Sequence, residues 1–124
     1  YNDALIQRGD LLSASKDYAG AIADYSKYLT AKPSDVKVLK VRGQAYLDSG
    51  NEPSALADFE KATSLAPTDA EALTLVGGLY YSRAAAEYNT SGDPDKAIPI
   101  YDKAIASTNA AIAANANYAG AYYY

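Results

Sequence analysis

The chain has 124 residues, 49% of them hydrophobic and 21% charged, which suits one domain or one stack of small repeats around a self-sufficient core. Its net charge of -4 argues against a nucleic-acid partner, and no apolar run approaches the roughly 18 to 20 residues that insert across a membrane. With no Cys and no His, it lacks thiolate nucleophiles, zinc–thiolate sites and the commonest general base. The expectation is a non-enzymatic chain with no catalytic, cofactor-binding or metal-binding residues.

The first residue is Tyr1 and not Met, as in a processed chain or an excised piece of a longer one. Leu5, Gly9 and Leu12 stand at i, i+4 and i+7, one face of a first helix. Ser15-Lys16-Asp17 interrupts the pattern. Ala21, Tyr25 and Tyr28 then repeat the same spacing on a second helix, which Pro33 stops. Gly9 and Ala21 are small where the two helices must approach closely. Asp35 can cap the helix that follows.

The same order returns 34 residues later as Leu39, Gly43 and Tyr46, the break Asp48-Ser49-Gly50-Asn51, then Ala55, Phe59, Ala62 and Pro67. Asp69 is the next cap. A helix pair of this kind cannot bury its apolar face alone, so neighbouring pairs must stack.

The third unit starts in phase with Leu73, Gly77 and Tyr80, but Asn89 stands where the pattern needs Ala. The pattern resumes at Gly92-Asp93-Pro94, with Ala97, Tyr101 and Ala104 displaced by 8 residues. A second excess of 7 residues separates Ala97 from Ala119. Seven or eight residues make about two helical turns, roughly 11 Å. The spacing therefore predicts helices over about 70–90 and 94–116, a projecting finger with Asp93 as cap and Pro94 in first position. Pro99 lies too deep for the first turn, and a kink is expected between Asp95 and Pro99. The alternative, a loop over 84–91, is opposed by the helix-favouring Ala84-Ala85-Ala86-Glu87.

These recurring Gly, aromatic, Ala and Pro positions resemble the tetratricopeptide repeat family, which the segments 2–35 and 36–69 match without a gap. The resemblance implies an all-α fold, a right-handed α-solenoid of helix hairpins, from whose pattern the third hairpin departs, its spacing making it longer by about two turns per helix. It places an elongated third repeat at 70–118 and a partial fourth at 119–124, within one domain. It also implies a protein-interaction scaffold whose first helices line a concave groove. The matching positions are Asp3, Ile6, Gln7 and Asp10, then Lys37, Lys40, Val41 and Gln44, then Glu71, Thr74, Leu75 and Gly78. Heat-shock co-chaperones of the family clamp a C-terminal carboxylate with basic residues and Asn. Here Ile6, Asp10, Glu71 and Leu75 replace that clamp, which disfavours such a partner. Gln7, Asp10, Lys37, Lys40, Gln44, Thr74 and Tyr81 are the groove candidates for a peptide segment of another protein.

A second protein partner is another copy of the chain. The sequence stops at Tyr122-Tyr123-Tyr124 without a polar capping helix, and 13 Tyr against a single Phe suit half-buried surfaces. Head-to-tail stacking of uncapped ends into a filament is the leading expectation, with Leu5, Leu12, Tyr118, Tyr122 and Tyr123 as contact residues. Arg8-Gly9-Asp10 spells an integrin-binding tripeptide, but it falls inside a predicted helix. Asp93 with Asp95, and Asp58 with Glu60, read as a helix cap and a solvated face rather than as paired catalytic carboxylates. Asn89-Thr90-Ser91 is an N-glycosylation acceptor pattern at the predicted fingertip. The composition leans slightly toward an exported chain, with a cytoplasmic one as the alternative.

Overall fold

The computed structural model describes residues 2–114, and every regular element among them is an α-helix. The helices are α1 (Asn2–Ala14), α2 (Tyr18–Ala31), α3 (Val36–Asp48), α4 (Glu52–Leu65), α5 (Ala70–Ser91) and α6 (Pro94–Ala114). The chain separates into two compact units, Tyr1–Leu65 and Ala66–Tyr124.

The first unit holds two hairpins, α1/α2 and α3/α4, with α3 packed on α2. Glycine decides how closely the helices of each hairpin approach. A Cβ on Gly9 would lie 2.7 Å from the Tyr25 ring, and one on Gly43 would lie 2.7 Å from the Phe59 ring. Those two rings are the largest fully buried side chains of the unit, and they occupy the space that the missing methyl groups leave.

The turns repeat as closely as the cores. Asp17 N–H donates to the Leu12 carbonyl at 2.8 Å, and Asn51 N–H to the Tyr46 carbonyl at 2.8 Å. These are the long bonds of a Schellman ending, which puts the preceding residue in the left-handed region. That residue is Gly50 in the second hairpin, with φ of 88°, and Lys16 in the first, with φ of 68°. Asp17 caps α2 at Gly20 N–H (3.1 Å) and Asn51 caps α4 at Ser54 N–H (3.3 Å). Asp35 and Asp69 cap α3 and α5 at Val38 N–H (3.3 Å) and Ala72 N–H (3.1 Å), the roles their positions predict.

In the second unit, α5 and α6 run 22 and 21 residues, against 13 or 14 in each helix of the first. They pair as one long hairpin. Gly92 closes α5 with φ of 66°, and Asp93 caps α6 by accepting from Asp95 N–H at 3.0 Å. The helix runs on through Pro99. Lengthening both helices on the turn side shifts which residues face each other. A Cβ on Gly77 would meet Thr108 Oγ1 at 2.7 Å, seven residues beyond Tyr101. The order Ala97, Tyr101, Ala104 is kept, but Tyr101 is not the ring over Gly77. By the same register, buried Ala84 stands level with Tyr101, two turns along α5.

Candidate functional site

The first unit carries a cleft of about 300 Å³ between α1 and α3, floored where α2 turns into α3. Its α1 wall is Asp3, Ile6, Gln7 and Asp10, which recur at helical spacing on one face. Lys37, Val38 and Val41 form the α3 wall, and Tyr28 with Asp35 closes the floor. A shallower depression continues past Asp10 to Ser13, Val41 and Gln44.

Two of the cleft carboxylates are held by tyrosines. Tyr25 O–H donates to Asp10 Oδ1 at 2.5 Å, and Tyr28 O–H donates to Asp35 Oδ2 at 2.6 Å. Burial and the Asp10 bond push the Tyr25 phenol well above its usual pKa. The Asp35 bond pushes Tyr28 up as well, with burial adding to it. Asp35 also caps α3, so one side chain joins the floor tyrosine to the start of the cleft's second wall. These carboxylates act as acceptors that hold the wall in shape. Among the described residues, no group of three or more Asp or Glu is arranged to hold a metal ion. No described helix is long and apolar enough to cross a membrane.

The candidates distribute unevenly. Gln7, Asp10 and Lys37 line the cleft, and Gln44 lines its continuation while donating to Asp48 at 3.0 Å. Lys40 is half-buried on α3 and does not line it. Thr74 is buried at 5% exposure, and its hydroxyl donates to the Ala70 carbonyl at 2.8 Å, so it offers nothing to a peptide. Tyr81 belongs to the second unit, where its ring meets Tyr101 edge-on at 5.6 Å. Asn89 is exposed near the end of α5. Leu5 is buried in the first hairpin and has little surface to present to another copy, while Leu12 is half-buried. Tyr118, Tyr122 and Tyr123 lie outside the described residues.

One reading of the sequence is corrected. Asp58 is not on a solvated face: it is 5% exposed and takes two bonds from Arg42, 2.8 and 2.6 Å. Its counterpart Asp24 takes two from Arg8, both 2.7 Å. The tripeptide Arg8-Gly9-Asp10 is thereby absorbed into the first hairpin, with Arg8 on Asp24, Gly9 under Tyr25 and Asp10 on the Tyr25 hydroxyl. The signal for these pairs was present, because Arg8 and Arg42, like Asp24 and Asp58, are 34 residues apart.

Two family models, both described as tetratricopeptide repeat, match residues 40–119 and 3–35. No curated protein sequence matches the chain. Among solved structures, the MamA protein shares 31% identity at a TM-score of 0.77, over 98% of this chain and 58% of that one. The present chain thus spans little more than half of that relative. The Sgt2 TPR domain from Aspergillus fumigatus is 24% identical at a TM-score of 0.75, covering 98% of this chain and 72% of that one. The first TPR of Spaghetti (RPAP3), solved with the HSP90 peptide SRMEEVD, is 18% identical at a TM-score of 0.76, covering 98% and 85%. At those identities the last two speak for the fold.

Proposed function

The chain belongs to the tetratricopeptide repeat family of protein-interaction modules, and from that premise we propose that it is a non-catalytic scaffold holding an extended segment of another protein in its first unit. The observation that carries this reading is the α1/α3 cleft, where Ile6 and Val41 supply apolar surface beside the Gln7 amide. Apolar contact with a few polar groups that fix direction is what an extended peptide requires. Asp3, Asp10 and Asp35 outnumber Lys37 there. A segment of net positive charge suits the cleft better than a net-negative one such as the SRMEEVD peptide bound by Spaghetti.

The test is selection of peptides from a displayed library on the intact chain, followed by titration of the winners against Ile6→Asp and Lys37→Glu. Loss of about tenfold or more in the Ile6 variant, with helicity unchanged, supports the cleft. Peptides that bind both variants as they bind the parent would refute it.

End-to-end stacking of copies is the second reading, and Leu11 favours it. Leu11 is 72% exposed, although the same register in α3 is Ala45 at 1%. α1 thus exposes a leucine where α3 buries its counterpart. Light scattering across concentration tests this: a uniform species of the chain's 13.1 kDa at all concentrations would eliminate it.

A further inference from the structure

In the first two hairpins a glycine on the first helix carries an aromatic ring from the second: Tyr25 on Gly9 and Phe59 on Gly43. In the long hairpin, Gly77 faces Thr108, which ends at its γ atoms, while the ring of the repeated motif, Tyr101, stands seven residues away. A half-enclosed depression of about 270 Å³ opens at this place, with Gly77 and Thr108 at its base. Ala104 adds only a methyl group. Tyr81 and Tyr101, edge to face at 5.6 Å, form one wall, and exposed Ile105 forms the lip. No lining residue is charged, and the Asn109 amide stands at the mouth.

We propose that this depression is a receptor for an aromatic side chain, Phe or Tyr, presented by a partner polypeptide. The other two hairpins show what suits this place, because a Tyr and a Phe fill the space that Thr108, itself against Gly77, leaves open beyond its γ atoms. A ring entering from outside would complete a cluster with Tyr81 and Tyr101, whose edge-to-face arrangement leaves an edge and a face for a third ring. An uncharged lining binds an uncharged group without stranding a buried charge. The Asn109 amide can bond the hydroxyl of a Tyr or the backbone of the segment that carries the ring. The site lies wholly in the second unit and does not depend on the cleft of the first.

The experiment titrates N-acetyl-phenylalanine amide into the intact chain carrying labelled methyl groups, read by NMR at Ala104, Ile105 and Thr108. Saturable shifts confined to these methyls are expected, with the leucine amide about tenfold weaker and the alanine amide silent. Thr108→Phe supplies the hairpin's own ring and should abolish the response. Ile105→Asp alters only the exposed lip and should weaken binding about tenfold, so the test survives if the Thr108 variant fails to fold. Absence of any shift at Ala104 and Thr108 would overturn the proposal. So would an equal response to the leucine amide. Methyl shifts that follow protein concentration without added amide would mean a second copy fills the site, which also overturns it.

Discussion

Arg42 holds Asp58 through a two-pronged contact of 2.8 and 2.6 Å, and its third nitrogen reaches back to Ser26 Oγ at 3.2 Å. One guanidinium therefore ties both helices of the second hairpin to the first. Its side chain is 21% exposed, whereas that of Arg8 on Asp24 is 62% exposed. Both carboxylates are buried, Asp24 at 4% and Asp58 at 7% side-chain exposure, but water follows the exposed Arg8 into its place more readily than it follows Arg42. Arg42→Ala should cost about 3 kcal/mol and Arg8→Ala about 1 kcal/mol, measured by urea unfolding. Equal losses would show that the bond to Ser26 and the deeper burial contribute nothing.

The pairs also set the response to pH. The bond from Arg8 holds the Asp24 carboxyl below its usual pKa, despite burial pushing the other way. A carboxyl depressed in the folded state adds stability that is full above its unfolded value of about 3.9 and is lost as pH falls through the folded one. Tyr25 and Tyr28 are raised, so their contribution is full below about pH 10 and is lost as pH climbs through their folded values. Stability measured against pH should fall at both limits, and Asp24→Asn should flatten the acid limb alone.

Lys16 adopts the left-handed conformation that Gly50 adopts in the next hairpin. A side chain there costs roughly 1 kcal/mol, partly offset by the greater freedom of glycine in the unfolded chain. Lys16→Gly should therefore raise unfolding stability by about 0.5 kcal/mol or more. A decrease would mean that the lysine side chain makes a compensating contact.

Gly43→Ala presents the opposite case. The added methyl would lie 2.7 Å from the Phe59 ring, which is fully buried. Overpacking of that kind costs about 1–3 kcal/mol, more than the roughly 1 kcal/mol that alanine returns in helix propensity. A lowered melting temperature, restored in part by Phe59→Leu in the same chain, is the expected result.

Much of this fold could be read from spacing. Gly9 and Gly43 with Tyr25 and Phe59 gave the hairpins, Asp35 and Asp69 gave the helix starts, and the displacement of Ala97 gave the longer third pair. Less legible was what the displacement does to partners. The sequence keeps Tyr101 in motif order with Ala97, but two antiparallel helices pair by distance from their turn, which moves Thr108 over Gly77. The burial of Asp58 was hidden for another reason. A carboxylate beside Glu60 reads as solvent-facing until its partner, 16 residues back on another helix, is brought against it. The cleft positions on α1 and α3 follow the helical period, whereas Thr74 satisfies that period and is still buried.

Pro99 has one more consequence. It is the sixth residue of α6, and having no amide proton it leaves the Asp95 carbonyl without its helical donor. The opening turn of α6 is therefore stitched to the rest of the helix by one bond fewer than a helix without an internal proline. Hydrogen exchange should divide the long hairpin accordingly, with the amides of Lys96 to Ile98 exchanging ahead of those around Ala104 and Thr108. The long hairpin is then least tightly held in the first turn of α6, beside the Gly92–Asp93 turn, and most tightly held where Thr108 meets Gly77.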